Sequence, residues 1–141
     1  MAALAAAELL PAVTIAPNPA WASGLASSVH TALAALTPTT QATIFLPVDQ
    51  PLLDPLLLRR LVQAWHSGAP IAAPLVEGKL RGAPSLFDRS FFGALAAITG
   101  DVGGRDLLRA HRDVVVGVQA DPAWLLDVDR PEDLAVVTGT L

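Results

Sequence analysis

Ala42-Thr43-Ile44-Phe45-Leu46-Pro47-Val48-Asp49-Gln50-Pro51-Leu52-Leu53 is the stretch that decides the fold. Its apolar run, rich in β-branched and aromatic residues, reads as a buried strand. The strand is expected to end at Asp49, because Pro51 prevents a regular central strand from continuing. A carboxylate at the carboxyl end of a buried strand sits where open α/β sheets bind their ligands. It also suits a divalent cation held against phosphates. The competing reading makes Asp49 a cap for the next helix, a role that Asp54 can fill by itself.

On the amino-terminal side, residues 1–10 read as a helix packed on the sheet, and Ala12–Ala16 as a short strand. Pro17-Asn18-Pro19 forces a turn. The small-residue loop 21–28 leads into a helix with Val29, Leu33 and Leu36 at helical spacing, stopping before Pro38. On the carboxyl-terminal side, a helix is expected from Pro55 to Ser67, with Leu57, Leu61 and Ala64 on one face and Arg59-Arg60 on the other. Gly68 ends it. Ile71–Val76 is a second strand, Glu77-Gly78-Lys79 a tight turn, and 81–87 irregular or short β structure. Asp88 caps a helix carrying Phe91, Phe92, Leu95 and Ile98. The flexible loop 100–104 opens a helix from Arg105 to His111, and 113–118 has strong strand propensity. Residues 124–134 turn a strand end into a last helix, with Pro131 at its first position. Strands alternating with helices give an α/β sheet of four or five strands.

Composition limits the function. The 141 residues suffice for one domain with a real core, 52% are hydrophobic and only 16% charged. The net charge of −4 and the lack of a basic run argue against nucleic acid as a partner. With no cysteine, disulfides, thiolate metal sites and cysteine nucleophiles are excluded. His30, His66 and His111 are too scattered for a histidine metal site, and His111 reads as a helix-end residue. The opening residues lack a basic start and contain Glu8, so they read as neither signal peptide nor membrane span. A soluble, cytoplasmic protein is expected. The three tryptophans read as packing residues, although Trp21 falls in the small-residue loop.

Two acidic strand ends carry the chemistry: Asp49, and Asp127 with Asp129 far along the chain. In a wound sheet such ends can converge on one edge. Two carboxylates there could ligate Mg²⁺, which takes a few hard oxygen ligands together with substrate phosphates. The Asp127-Val128-Asp129 pattern also reads as ordinary helix capping. Likewise, the 100–105 loop could present backbone N–H groups and Arg105 to a phosphate, or simply be solvated.

Three blocks, Asn18-Pro19-Ala20-Trp21-Ala22-Ser23-Gly24-Leu25-Ala26-Ser27-Ser28-Val29, then Leu46-Pro47-Val48-Asp49-Gln50-Pro51, then Leu126-Asp127-Val128-Asp129-Arg130-Pro131-Glu132-Asp133-Leu134, resemble in order the MobA-like nucleotidyltransferases. Gly100-Asp101-Val102-Gly103-Gly104-Arg105 and Arg81-Gly82-Ala83-Pro84-Ser85-Leu86-Phe87 fit the branch of molybdenum cofactor cytidylyltransferases. The resemblance implies a Rossmann-like three-layer α/β/α sandwich of the nucleotide-diphospho-sugar transferase type. It implies transfer of a nucleoside monophosphate, CMP from CTP in that branch, to a phosphorylated acceptor such as molybdopterin. Pyrophosphate is released and Mg²⁺ is required. Carried over, Asp49 and Asp129 are the catalytic metal ligands, with Asp127 as the substitute. Gly24, Ser27 and Ser28 lie at the nucleotide, and Gly103, Gly104 and Arg105 at the acceptor. A molybdoenzyme or insertion chaperone becomes a possible protein partner.

Two departures qualify the resemblance. Relatives show Arg-Gly-His-Pro where this chain has Arg81-Gly82-Ala83-Pro84. The family's glycine-rich opening loop, of the form Leu-Ala-Ala-Gly-x-Ser-x-Arg-x-Gly-x-x-Lys, which wraps the triphosphate, has no counterpart in the sequence. The expectation is therefore a single domain over 1–141, incomplete at its N-terminus, with two interior sheet edges exposed or the sheet closed differently, and weak or no activity by itself. A non-catalytic molybdenum-cofactor binding or delivery module and a sugar-phosphate nucleotidyltransferase remain alternative readings.

Overall fold

Local chemistry sets the element boundaries in the computed structural model, which describes residues 13–133 and 135. α1 (Leu25–Ala34) buries Ala26 and Val29, and β1 (Ala42–Phe45) follows. α2 (Pro55–His66) starts where Asp54 accepts the Leu56 N–H at 2.7 Å and Pro55 fills a first-turn position that needs no N–H partner. β2 (Ile71–Val76) and β3 (Lys79–Leu80) form a hairpin. Its two turn residues, Glu77 and Gly78, both take positive φ, as a tight turn between twisted strands requires. β4 (Ser85–Asp88) leads through a 3-10 turn at Arg89–Phe91 into α3 (Phe92–Ala97). α4 (Gly104–Ala110) and β5 (Val115–Gln119) complete the regular elements.

The five strands form one sheet. β4 lies between β1 and β2 and is antiparallel to both, with Ile44 opposite Leu86 and Ile71 opposite Phe87. β5 runs parallel to β2 on the other side, with Ala72 opposite Val116, and β3 pairs with the end of β2. Alternation along the strands splits the core in two. Ile71, Ala73 and Phe87 pack with Val29, Leu95, Leu107 and Leu108 from α1, α3 and α4. Ala72 and Leu86 pack on the opposite face against Leu57 and Leu61 of α2. This is the expected three-layer α/β/α arrangement.

Several expectations are corrected. Residues 13–16 form no strand; Val13 and Ile15 are exposed and have no sheet neighbour among the described residues. β1 stops at Phe45 rather than at Asp49, because Pro47 has no N–H for a ladder and Val48 turns fully into solvent. Residues 122–125 form a 3-10 turn begun by Asp121, and 126–129 are irregular, where a strand end was expected. Trp21 is 72% exposed and joins neither core cluster, whereas Trp65 and Trp124 pack on the α2 side of the sheet. The opening helix over 1–10 and most of the final helix lie outside the described residues. Among those residues the outer edge of β1 has no partner strand. No described helix is long and apolar enough to cross a membrane.

Asp88 ties two layers together. The Trp65 indole N–H donates to its Oδ2 at 2.8 Å, and the Ser90 N–H and hydroxyl donate to Oδ1 at 2.9 and 2.7 Å. The Trp65 bond first, then those from Ser90, hold the carboxyl below its ordinary value of 3.8. A depressed carboxyl contributes stability above 3.8 and loses it as pH falls through the folded-state value. Asp88→Ala is expected to cost about 1 kcal/mol at neutral pH. Urea melts should show that gap shrinking below pH 3.8.

Candidate functional site

The two acidic segments meet. The Val128 N–H donates to the Asp49 carbonyl at 2.8 Å, and the Gln50 side-chain N–H donates to Asp127 Oδ1 at 3.0 Å. Asp49, Gln50 and Asp127 therefore line one cleft of about 510 Å³, which Arg81 and Arg105 also border. Asp49 Oδ1 and Gln50 Oε1 are buried there without a donor. A buried acceptor left without a donor carries a desolvation cost that a bound cation or proton donor would relieve. Asp129 lies outside the lining; its N–H and that of Arg130 donate to the Asp133 carboxylate at 3.1 and 2.9 Å. No group of three or more His, Cys, Asp or Glu converges among the described residues. Two carboxylates and an amide oxygen nonetheless fit Mg²⁺ or Mn²⁺, which keep positions for water and phosphate oxygens.

A second cleft, of about 630 Å³, adjoins the first through Pro47, Gly82, Ala83 and Arg105. It collects Leu25 and Ser28 from α1, Phe45 from β1, Asp101 and Gly103 from the loop before α4, and Gly104 and Arg105 from the start of α4. The expected nucleotide loop and acceptor loop are thus packed directly on each other. Gly24, at φ +111°, makes this possible, because a Cβ there would overlap the Gly100 carbonyl group. The Ala26 N–H donates to Gly100 O at 3.0 Å and the Leu25 N–H reaches Asp101 Oδ1 at 3.4 Å. The first N–H groups of α1 are therefore occupied by protein. Ser27 Oγ donates to Gly24 O at 2.8 Å and accepts from Asn18 Nδ2 at 2.9 Å. Gly24 and Ser27 hold the loop, while Ser28 stands on the cleft wall.

Residues 2–114 match the model of the MobA-like NTP transferase domain. The chain belongs to this family. Asp49, Arg81 and Arg105 fall inside the match, whereas Asp127 and Asp129 lie beyond it. No curated protein matches. Among solved structures, Rv0371c from Mycobacterium tuberculosis H37Rv is 29% identical at a TM-score of 0.71, covering 82% of this chain and 60% of its own. Its homologue from Mycobacterium sp. strain JC1 is 26% identical at a TM-score of 0.70, covering 96% of this chain and 70% of its own. Rv0371c has also been solved as a complex with manganese, at 29% identity and a TM-score of 0.66 over 81% of this chain and 61% of its own. This MobA-like chain thus spans 60% of the length of the first relative.

The candidate site also contains residues that the sequence did not announce as ligand groups. Gln50 orients Asp127 and adds an oxygen beside Asp49; its position next to Asp49 is the one signal for it. Asp101 meets the start of α1 from 76 residues away, and nothing local announces that. Arg81 reaches the acidic cleft because its N–H donates to Pro74 O at 2.8 Å and prolongs the hairpin. Gly82 lies under Arg105: a Cβ there would stand 3.0 Å from Arg105 Nε.

Proposed function

We propose that this domain, taken as a single unit over 1–141, is a nucleotidyltransferase that joins a nucleoside monophosphate to a phosphorylated acceptor. CMP from CTP and molybdopterin are the nucleotide and acceptor favoured by the resemblance. An acceptor phosphate oxygen bonds to the α-phosphorus, the bond from that phosphorus to the α–β bridging oxygen breaks, and pyrophosphate leaves. The observation that carries this reading is the buried, donor-free Asp49 Oδ1 in a cleft bordered by Asp127 on one side and Arg81 and Arg105 on the other. Asp49 and Asp127, rather than Asp129, are the carboxylates that this geometry favours for holding Mg²⁺. A divalent cation there supplies positive charge against the phosphate oxygens. Arg81 and Arg105 give charged hydrogen bonds to the phosphates and hold them in line. Ser28, Gly103 and Gly104 form the wall against which nucleotide or acceptor would rest. The setting would be the cytoplasm, where nucleoside triphosphates are abundant.

The test is calorimetric titration of the chain with CTP and the other triphosphates, with and without Mg²⁺ or Mn²⁺, followed by a pyrophosphate-release assay with candidate acceptors. Metal-dependent CTP binding with weak acceptor-dependent release is the expected result, since the chain has no counterpart of the glycine-rich loop that wraps the triphosphate. Failure of every triphosphate to bind overturns it. Acceptor binding that survives Asp49→Ala without any triphosphate binding would identify a non-catalytic module instead.

A further inference from the structure

The nine lysines and arginines are scattered along a chain of net charge −4, yet five of them line one hollow of about 390 Å³. Lys79 comes from β3, Arg81 follows it, Arg105 and Arg109 come from α4, and Arg112 lies just beyond. Among the described residues no carboxylate lines this hollow. The ion pair of Arg109 with Asp106 at 3.7 Å is exposed at both ends and neutralises little. Lys79, Arg81, Arg105 and Arg112 make no side-chain hydrogen bond or ion pair among the described residues.

Cations gathered without counter-charges repel one another and focus a positive field, which a bound anion relieves. The overall negative charge repels an extended polyanion such as nucleic acid, while a hollow of this size admits a small molecule. The hollow is continuous with the acidic cleft through Arg81, Gly82 and Arg105, and with the larger cleft through Arg105 and Arg109.

We propose that this basic hollow seats an anionic group of the acceptor beyond the phosphate that reacts, so the acceptor is a small molecule with at least two anionic groups. Its assignment to the acceptor rests on the transferase reading; the anion site itself does not.

The test uses the full chain and inorganic pyrophosphate, titrated by calorimetry in EDTA so that no metal bridges the probe to Asp49. Lys79→Glu with Arg112→Glu should weaken pyrophosphate binding by about tenfold or more. Arg59→Glu with Arg130→Glu, the same change of charge elsewhere, should leave it within about twofold. Equal loss in both double variants, or no binding to the wild-type chain, overturns the site. Glucose 1,6-bisphosphate should then compete with pyrophosphate about tenfold better than glucose 1-phosphate does; equal competition overturns the two-anion assignment. CTP titration in metal, run on the same proteins, separates the two readings. If CTP fails to bind wild type while pyrophosphate binds in the hollow, the transferase reading falls and the anion site stands. If CTP binds and pyrophosphate ignores Lys79 and Arg112, the hollow alone is refuted.

Discussion

On the transferase reading, Asp49→Ala is expected to weaken metal-dependent CTP binding by at least ~100-fold, because it removes the carboxylate proposed to fix a cation against the triphosphate. The partner groups cannot compensate. Asp127 is exposed and tied to Gln50, and the Asp49 backbone is tied to Val128. The variant carries a second signature that separates lost ligation from lost structure. In the wild-type chain Asp49 Oδ1 is buried with no donor, so without metal it opposes folding. In chelator, Asp49→Ala is therefore expected to melt no lower than wild type by thermal denaturation, while Mn²⁺ raises the melting temperature of wild type only. Unfolding of the variant in chelator would make Asp49 a structural residue, and undiminished CTP binding would remove it from the site.

Gly24→Ala is expected to destabilise the domain by roughly 3–5 kcal/mol, measured as a lowered urea midpoint. Two costs combine. At φ +111° an L side chain is strained, and its Cβ would overlap the Gly100 carbonyl and stand 2.9 Å from the Asp101 nitrogen, where only backbone could give way. Gly68→Ala isolates the first cost, since Gly68 has φ +100° and nothing within 4 Å. It should lose only about 1–2 kcal/mol. If the two variants fall together, the packing of the α1 loop on the 100–101 loop contributes nothing.

The fold was legible wherever local chemistry decides an element. Asp54-Pro55, Glu77-Gly78 and Asp88 mark starts and turns that any context would leave in place, and the Ile71–Val76 run can hardly be anything but a buried strand. The acidic pair was legible in part: the convergence of Asp49 with Asp127 was readable from topology. Which of Asp127 and Asp129 lines the cleft was not, because it depends on an irregular segment held by Gln50 and Val128. The loop at Gly24 and Ser27 was legible as a small-residue turn, but its packing on Gly100 and Asp101 was not, because that contact spans 76 residues. The basic hollow was invisible. Lys79, Arg81, Arg105, Arg109 and Arg112 become neighbours only when the β2–β3 hairpin is laid against α4, so their spacing in the chain carries no charge run.

The place of β4 in the sheet has a consequence for how the protein assembles. β2 pairs with both β3 and β4, which follow it directly in the chain, so these pairings can form early with little loop-closure entropy. β1 and β5 join these strands only across long stretches of chain, and non-local pairings of that kind are slow. Asp49 follows β1 and Asp127 follows β5. The two carboxylates are therefore delivered by the last strands to dock, and their convergence reports that the whole sheet has closed. A partly folded chain would hold the hairpin but no paired carboxylates, so the paired carboxylates arrive only with complete folding.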